Sequence, residues 1–413
     1  MTLIHTGDLH LGKTLHERSL EDEQRHFLAA LLGVAVERRA SALLIAGDIY
    51  DRAIPSPEAI TLFSDFLERL VEACPAIVVV IIPGNHDSAS RLAFGAGLLR
   101  RAGVHVRTSA AKVEPVILEG FSAGGPSAGG PSAASPSAAG PSERCAIWAL
   151  PFLGGGAYLG DGDSADENAT MRTQAEAFTT SVGRIAQRLE AGSRNILVAH
   201  CFASGAATSD SERAFVGLSE EVDARLFDPF DYAALGHLHR HQAAGAKGCY
   251  PGAPLAYSFG EAGSAKGFVV IELEGEGEGA GMRREFVAHQ PLHRLFRLSA
   301  SFDELCVPGA FPEHRDDLLE ITLTDAVPVL DASERLRGNF PNLLSLRQSA
   351  FEISLAGQGG RIEFDAARDP LDQKRLEDDF ILFHRELRDG TNPDEATLEL
   401  VRELAREAAD ATN

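Results

Sequence analysis

Five short apolar runs, each closed by polar residues, punctuate the first 240 positions of the chain. They are Leu3-Ile4-His5-Thr6, Ala42-Leu43-Leu44-Ile45, Ile77 to Ile82, Asn195-Ile196-Leu197-Val198 and Tyr232-Ala233-Ala234-Leu235. Short runs rich in branched residues read as buried strands. Two helical stripes separate the first three. Glu21 to Arg39 carries Phe27, Leu28, Leu31, Leu32 and Val36 on one face. A second helix starts at Ser56-Pro57-Glu58 and presents Leu62, Phe63, Phe66, Leu67, Leu70 and Val71, with proline in the first turn, where its missing N–H costs nothing. Alternating strand and helix predicts an α/β fold with a largely parallel inner sheet.

Further along, the pattern changes twice. Residues 124–142 repeat Pro-Ser-Ala without an aromatic or charged residue, so they cannot bury a core and are expected as a disordered loop. This loop separates Val113–Leu118 from Ala146–Leu150, which are predicted to pair antiparallel. A helix is predicted over Thr170 to Ala191, and a closing strand over Phe268 to Ile271. From about residue 286 a small α+β module is predicted, with strands Leu292–Leu298, Leu318–Leu323 and Leu343–Leu346 and a helix Ala332–Leu336. Residues 369–413 then hold two amphipathic helices, one with Leu376, Phe380, Phe383 and Leu387, the other, after Asn392-Pro393, with Leu398, Val401 and Leu404. Such stripes either pack on the body or dock a partner. The expected domains are 1–285, 286–350 and 351–413.

Composition narrows the class. At 44% hydrophobic and 24% charged, the chain has the make-up of a soluble globular protein, and no apolar run is long enough to span a bilayer. Met1-Thr2-Leu3-Ile4-His5 enters a strand at once and lacks the basic start of a signal peptide. Cys74, Cys145, Cys201, Cys249 and Cys306 are scattered and odd in number, which argues against a disulfide framework and for a reducing cytoplasm. Cys201 is expected on the face of its strand opposite to His200. The net charge of -22 does not fit an autonomous nucleic-acid binder, which needs a basic stripe. A nucleic-acid substrate would have to be gripped by a local patch, by metals or by a partner.

The residues just after each apolar run carry the chemistry: Asp8-Leu9-His10, Gly47-Asp48, Gly84-Asn85-His86-Asp87, Ala199-His200 and Gly236-His237-Leu238-His239. Ligands bind outside the carboxyl ends of strands in open α/β sheets, so these pieces are expected to converge at one rim of one sheet. Carboxylates, imidazoles and an amide converging there describe a two-metal hydrolytic site. Asp8 and His10, like His237 and His239, would share a side if the chain stays extended. Asp48 can bridge two cations, and Asn85 offers a neutral oxygen. The ligand set Asp8, His10, Asp48, Asn85, His200, His237 and His239 suits Mn, Fe or Zn better than Mg or Ca. Its two carboxylates leave a site with two divalent ions net positive, a trap for a phosphodiester. His86 is the expected non-ligand, acting on the leaving oxygen. Asp51 is expected to orient His86 or a ligand imidazole. Arg91 and Arg240 could reach phosphate but read more simply as solvated, and His241 lies outside the ligand set.

As a set, these motifs resemble the calcineurin-like metallophosphoesterases. The closer resemblance is to the SbcD-type nuclease subunits of bacterial SbcC–SbcD complexes, through His5-Thr6-Gly7-Asp8-Leu9-His10-Leu11-Gly12, Ala46-Gly47-Asp48-Ile49-Tyr50-Asp51, Gly84-Asn85-His86-Asp87-Ser88, Ala234 to Arg240, and Tyr250-Pro251-Gly252-Ala253-Pro254 with Ser258-Phe259-Gly260-Glu261. It covers about residues 1–275 clearly and the remainder only in layout. The resemblance implies a two-layered β-sandwich flanked by helices, with a capping domain and a C-terminal helix pair. It implies a Mn-dependent DNA nuclease with double-strand exonuclease and single-strand endonuclease activity, a homodimer joined to an SbcC-type ATPase in a heterotetramer, serving DNA repair and recombination. It implies that Asp8, His10, Asp48 and His239 hold one metal, that Asp48, Asn85, His200 and His237 hold the other, and that C-terminal helices grip the ATPase. Eukaryotic and archaeal relatives carry histidine where Asp51 stands, and the Pro-Ser-Ala loop is no part of the family pattern. Two rivals remain: a phosphatase or cyclic-nucleotide phosphodiesterase of the same fold, and a non-catalytic scaffold of an ATPase complex.

Overall fold

A computed structural model of the chain describes residues 1–111, 113–119, 144–154, 173–190, 192–206, 221–273 and 281–349, with short pieces at 380–381, 393–395 and 397–402. The Pro-Ser-Ala loop and most of the predicted C-terminal helix pair lie outside the described residues. The chain divides into two units, Met1–Ala350 and Phe351–Asn413.

Two sheets of six strands build the first unit. One runs in the spatial order Met282–Ala288, Gly267–Leu273, Thr2–Thr6, Ala42–Ala46, Val78–Ile82, Val104–Val106. Its last four strands are parallel, and the first two are added antiparallel. The other runs Gln242–Ala244, Gly248–Tyr250, Tyr232–Gly236, Arg194–His200, Arg144–Leu150, Val116–Glu119. The last pair is antiparallel, in the register Val116 opposite Ile147, as the apolar runs on either side of the Pro-Ser-Ala segment predict. The strand Met282–Ala288 crosses the domain boundary expected at 285.

The expectation of a single sheet is therefore corrected. The first three ligand-bearing strands belong to one sheet, and those before His200 and His237 belong to the other. Apolar runs mark fully buried strands but carry no signal for which sheet each joins. A sandwich of two sheets, flanked by helices, is nonetheless the architecture.

Alternation along each strand explains the layering. Leu3, Leu44, Val80 and Ile82 from one sheet meet Ile147, Ile196, Val198 and Ala234 from the other in the central layer. The alternate residues Ile4, Leu43, Ile45 and Val79 face helices Glu21–Glu37 and Pro57–Ala73, with Phe27, Leu31, Phe63 and Phe66. Ser56 caps the second of these helices, its Oγ accepting from Ala59 N at 3.2 Å. On the far side, Trp148, Leu197 and Leu235 pack on Phe178, Val182 and Ile185 of helix Gln174–Ala186. Cys201 is buried in that outer layer, as alternation predicts.

The small module comes next. Strands Leu295–Ala300, Leu318–Leu323 and Leu343–Gln348 form a parallel sheet covered by helices Phe302–Cys306 and Ala332–Leu336. Two of its strands reach back to the sandwich: Leu295 and Leu318 share a buried cluster with Leu15, Leu20, Leu255, Tyr257 and Phe259. Glu23 pins the connection, accepting from Leu292 N at 2.9 Å and pairing with His293 Nδ1 at 2.6 Å. No described helix is long and apolar enough to cross a membrane.

Candidate metal centre

The loops leaving the first two parallel strands are zipped together. Asp8 N donates to Gly47 O at 2.9 Å, His10 N to Asp48 O at 3.0 Å and Leu11 N to Ile49 O at 2.9 Å. Gln24 fastens the same loop from the first helix, its Nε2 donating to His10 O at 2.7 Å. The backbone here is not extended: Asp8 (φ 52°), His10 (φ 42°), Asp48 (φ 50°) and His237 (φ 108°) all have positive φ. The period-two reason for placing Asp8 with His10 is thus corrected. Left-handed turns, not a continued strand, bring their side chains to one place. Such conformations cost L-residues of order 1 kcal/mol or more each and cluster at functional sites.

All seven predicted ligands meet at the shared rim of the two sheets. His10 Nε2 lies 3.1 Å from His239 Nε2. Asp48 Oδ2 lies 3.7 Å from His10 Nε2 and 3.5 Å from His200 Nε2, between two groups of donors. Asn85 Oδ1 is 3.0 Å from both His200 Nε2 and His237 Nδ1. Asp8 Oδ1 accepts from His237 N at 2.9 Å. The triads Asp8–His10–His239 and Asp8–Asp48–His200 each offer ligand atoms within 4.8 Å of one another. Every one of the seven except Asn85 is buried.

Glycine is required where these loops cross. A Cβ on Gly84 would stand 2.1 Å from Asp48 Oδ1, and one on Gly236 would stand 1.9 Å from Ala46 O. The glycines ahead of the ligands give room for the two loops to touch.

Burial lowers the imidazoles: His10 to about 4, His237 to about 3, and His200 in the same direction. They are neutral, as ligands must be. His200 Nδ1 gives its proton to Ala46 O at 2.8 Å, so its Nε2 presents a lone pair to the Asn85 oxygen. Two acceptors 3.0 Å apart repel unless a cation lies between them, so the donor set fits divalent metal. Burial pushes the Asp48 carboxyl up, but His200, His10 and His86 together hold it below the usual carboxylate range. It is ionised.

His86 is fixed at both ends. Its backbone N donates to Asp48 Oδ1 at 2.9 Å, its Nδ1 donates to Asp51 O at 2.8 Å, and its ring meets His10 edge-on at 4.7 Å. Asp51 lies beside both predicted targets: its backbone carbonyl, not its carboxylate, accepts from His86, and its Oδ1 lies 3.6 Å from His10 Nδ1. Burial pushes the Asp51 carboxyl up, but His10 and Lys13 hold it well below the usual range. Arg91 and Arg240 are exposed. His241 turns away, donating to Tyr250 O at 2.9 Å and stacking on Phe286.

Sequence reasoning missed four contributors. Asp87 accepts from Ile49 N, Tyr50 N and Gly84 N at 2.9–3.0 Å and so locks the crossing loops. Tyr257 donates to Leu9 O and packs edge-on against the rings of His10 and His239. Glu261 Oε1 lies 3.4 Å from His239 Nδ1, and Lys266 Nζ holds Glu261 Oε2. Glu261 stood in one of the motifs that carry the resemblance but without a role, and Tyr257 and Lys266 had no signal beyond an aromatic and a charge inside a glycine-rich apolar stretch.

Residues 1–241 match the calcineurin-like phosphoesterase family. The chain belongs to that family. Within this phosphoesterase, residues 290–386 also match a family described as the type 5 capsule protein repressor C-terminal domain. A curated relative, the D subunit of the SbcCD nuclease of Staphylococcus epidermidis, is 27% identical over 358 residues, covering 86% of this chain and 87% of that one. Among solved structures, TT1561 of Thermus thermophilus is 14% identical, covering 61% of this chain and 89% of that chain at a TM-score of 0.35. A dimetal phosphatase from Danio rerio is 11% identical, covering 66% of this chain and 92% of that chain at a TM-score of 0.36.

Proposed function

We propose that the chain is the nuclease subunit of an SbcC–SbcD-type complex, hydrolysing DNA phosphodiesters with two divalent cations, Mn2+ in the cell. One observation carries the nuclease reading: the likeness to the Staphylococcus epidermidis protein runs through both the phosphoesterase half and the appended module. A small-substrate phosphatase has no need of that module.

In this reading Asp8, His10, Asp48 and His239 hold one cation, and Asp48, Asn85, His200 and His237 hold the other. The position of Asp48 Oδ2 between His10 and His200 supports its bridging role. When bound, the two cations would supply a nucleophile at neutral pH and offset the charge of the phosphate. The protein groups do the rest. The His86 amide fixes Asp48, and the Asp51 carbonyl takes Nδ1–H of His86. Nε2–H of His86 can then be handed to the leaving 3′ oxygen. The strained backbone at four ligands preorganises the donors before substrate arrives.

Double-strand exonuclease and single-strand endonuclease action, a cytoplasmic location, and an SbcC-type ATPase partner bound through residues 369–413 belong to the same proposal. So does a homodimer within a heterotetramer. Phe94 and Leu98 are exposed to 90% and 71%, and Phe94 and Ile60 line a hollow of about 670 Å3. This apolar patch supports self-association.

The test is Mn2+-dependent cleavage of end-labelled duplex DNA, with Asp48→Asn as the control. The expected result is cleavage by the wild type and none by the variant. Turnover of p-nitrophenyl phosphate without DNA cleavage, even after adding the ATPase, would replace the nuclease reading with a phosphatase one.

A further inference from the structure

A carboxylate with a lysine beside it stands behind each of the two imidazoles that meet at 3.1 Å, in two different arrangements. On the His10 side, Asp51 Oδ1 lies 3.6 Å from Nδ1, and Lys13 Nζ holds that oxygen at 2.6 Å. On the His239 side, Glu261 Oε1 lies 3.4 Å from Nδ1, and Lys266 Nζ grips Oε2. Lys266 also donates to the His239 carbonyl at 2.8 Å. Glu261 and Lys266 are 4% and 7% exposed, so this is a buried charge pair rather than a surface one. His200 is backed differently, by the neutral carbonyl of Ala46.

The chemistry of an imidazole ligand explains the arrangement. A ring that offers its Nε2 lone pair to a cation carries its proton on Nδ1. A carboxylate that accepts that proton fixes the tautomer and the ring plane and makes Nε2 a better donor; a backbone carbonyl does so less strongly. The lysine has two further effects. It compensates a carboxylate that burial would otherwise penalise. It also occupies Oε2, leaving Oε1 as the oxygen beside His239.

We infer that Glu261 and Lys266 are positioning residues for His239, the counterpart of Asp51 and Lys13 behind His10, and that they make the position served by Asp8, His10, Asp48 and His239 the tighter of the two cation positions. This rests on the ligand assignment above.

The experiment is a Mn2+ titration of the full-length, metal-free protein, with free Mn2+ read by electron paramagnetic resonance. The wild type should take up two ions in separated steps. Glu261→Gln should weaken the tight step roughly ten- to a hundredfold and leave the other within about threefold. Asn85→Ala should remove the weaker step and leave the tight one. Unchanged steps in a folded Glu261→Gln protein, equal weakening of both, or loss of the tight step in Asn85→Ala would overturn the inference. If Glu261→Gln does not fold, a variant with Lys266→Gln added removes both buried charges together and is judged by the same criteria. A wild type that takes up fewer than two ions would overturn the ligand assignment itself, and this inference with it.

Discussion

At single positions, the proposed site divides into groups assigned to metal and groups that position them. His86 is assigned to neither cation, so His86→Ala is expected to retain both metals while DNA cleavage falls by about two orders of magnitude or more. Metal content and cleavage measured on one preparation check this. Gly84→Ala is expected to do the reverse damage. Its Cβ would meet Asp48 Oδ1 at 2.1 Å and Asp48 N at 2.4 Å, forcing the carboxylate proposed to bridge and its backbone aside at a cost of about 1–3 kcal/mol; metal uptake would fall and the melting temperature with it. Protons give a third handle. His5, His10 and His237 sit at about 3, 4 and 3 in the fold against 6.5 when free. An unfolded chain therefore takes up protons that the folded one refuses, so stability is full above pH 6.5 and declines as pH falls below it. From there to about pH 5, each buried histidine should cost the metal-free fold about 2 kcal/mol. Denaturant midpoints across that range would show it, and a flat profile would contradict it.

The elements show what could be read from the chain and what could not. Strands Ala42–Ala46 and Tyr232–Gly236 lie where continuous apolar runs place them, and helix Glu21–Glu37 follows its stripe almost to the predicted end. That these seven side chains converge was legible for the same reason, since each closely follows such a run. Sheet membership was not, because a strand buried on both faces shows no periodicity that names its neighbour. The helix Phe302–Cys306 was missed although Ser301 and Glu304 form a capping box, a local signal that could have located it. Tyr257 and Lys266 were illegible as site residues, and Glu261 had no readable role although it stood in a motif that carries the resemblance, because the loops they touch are remote in sequence. Lys266 reaches the His239 carbonyl 27 positions away, and only the folded strand Gly267–Leu273 brings the two together.

For the whole molecule, the exposed patch around Phe94 makes a prediction about assembly. Phe94→Glu should leave the metal site untouched, since Phe94 is nearly fully exposed, and should convert the proposed dimer to monomer in sedimentation velocity. An unchanged sedimentation coefficient would remove this patch from the interface. The acidic balance of -22 sets a second expectation, that DNA affinity in the isolated chain is weak and rises when the proposed SbcC-type partner is added. The seam between sandwich and module has a practical side. Tyr257 lies against the His10 and His239 rings and also belongs to the apolar cluster that Leu295 and Leu318 complete. Chimeras that trade modules between relatives at a breakpoint near residue 290 would therefore cut through the packing beneath the catalytic rim. Unless Leu15, Leu20, Leu255 and Phe259 travel with the incoming module, a swap meant to change which DNA ends are accepted would register first as a defect in cation retention.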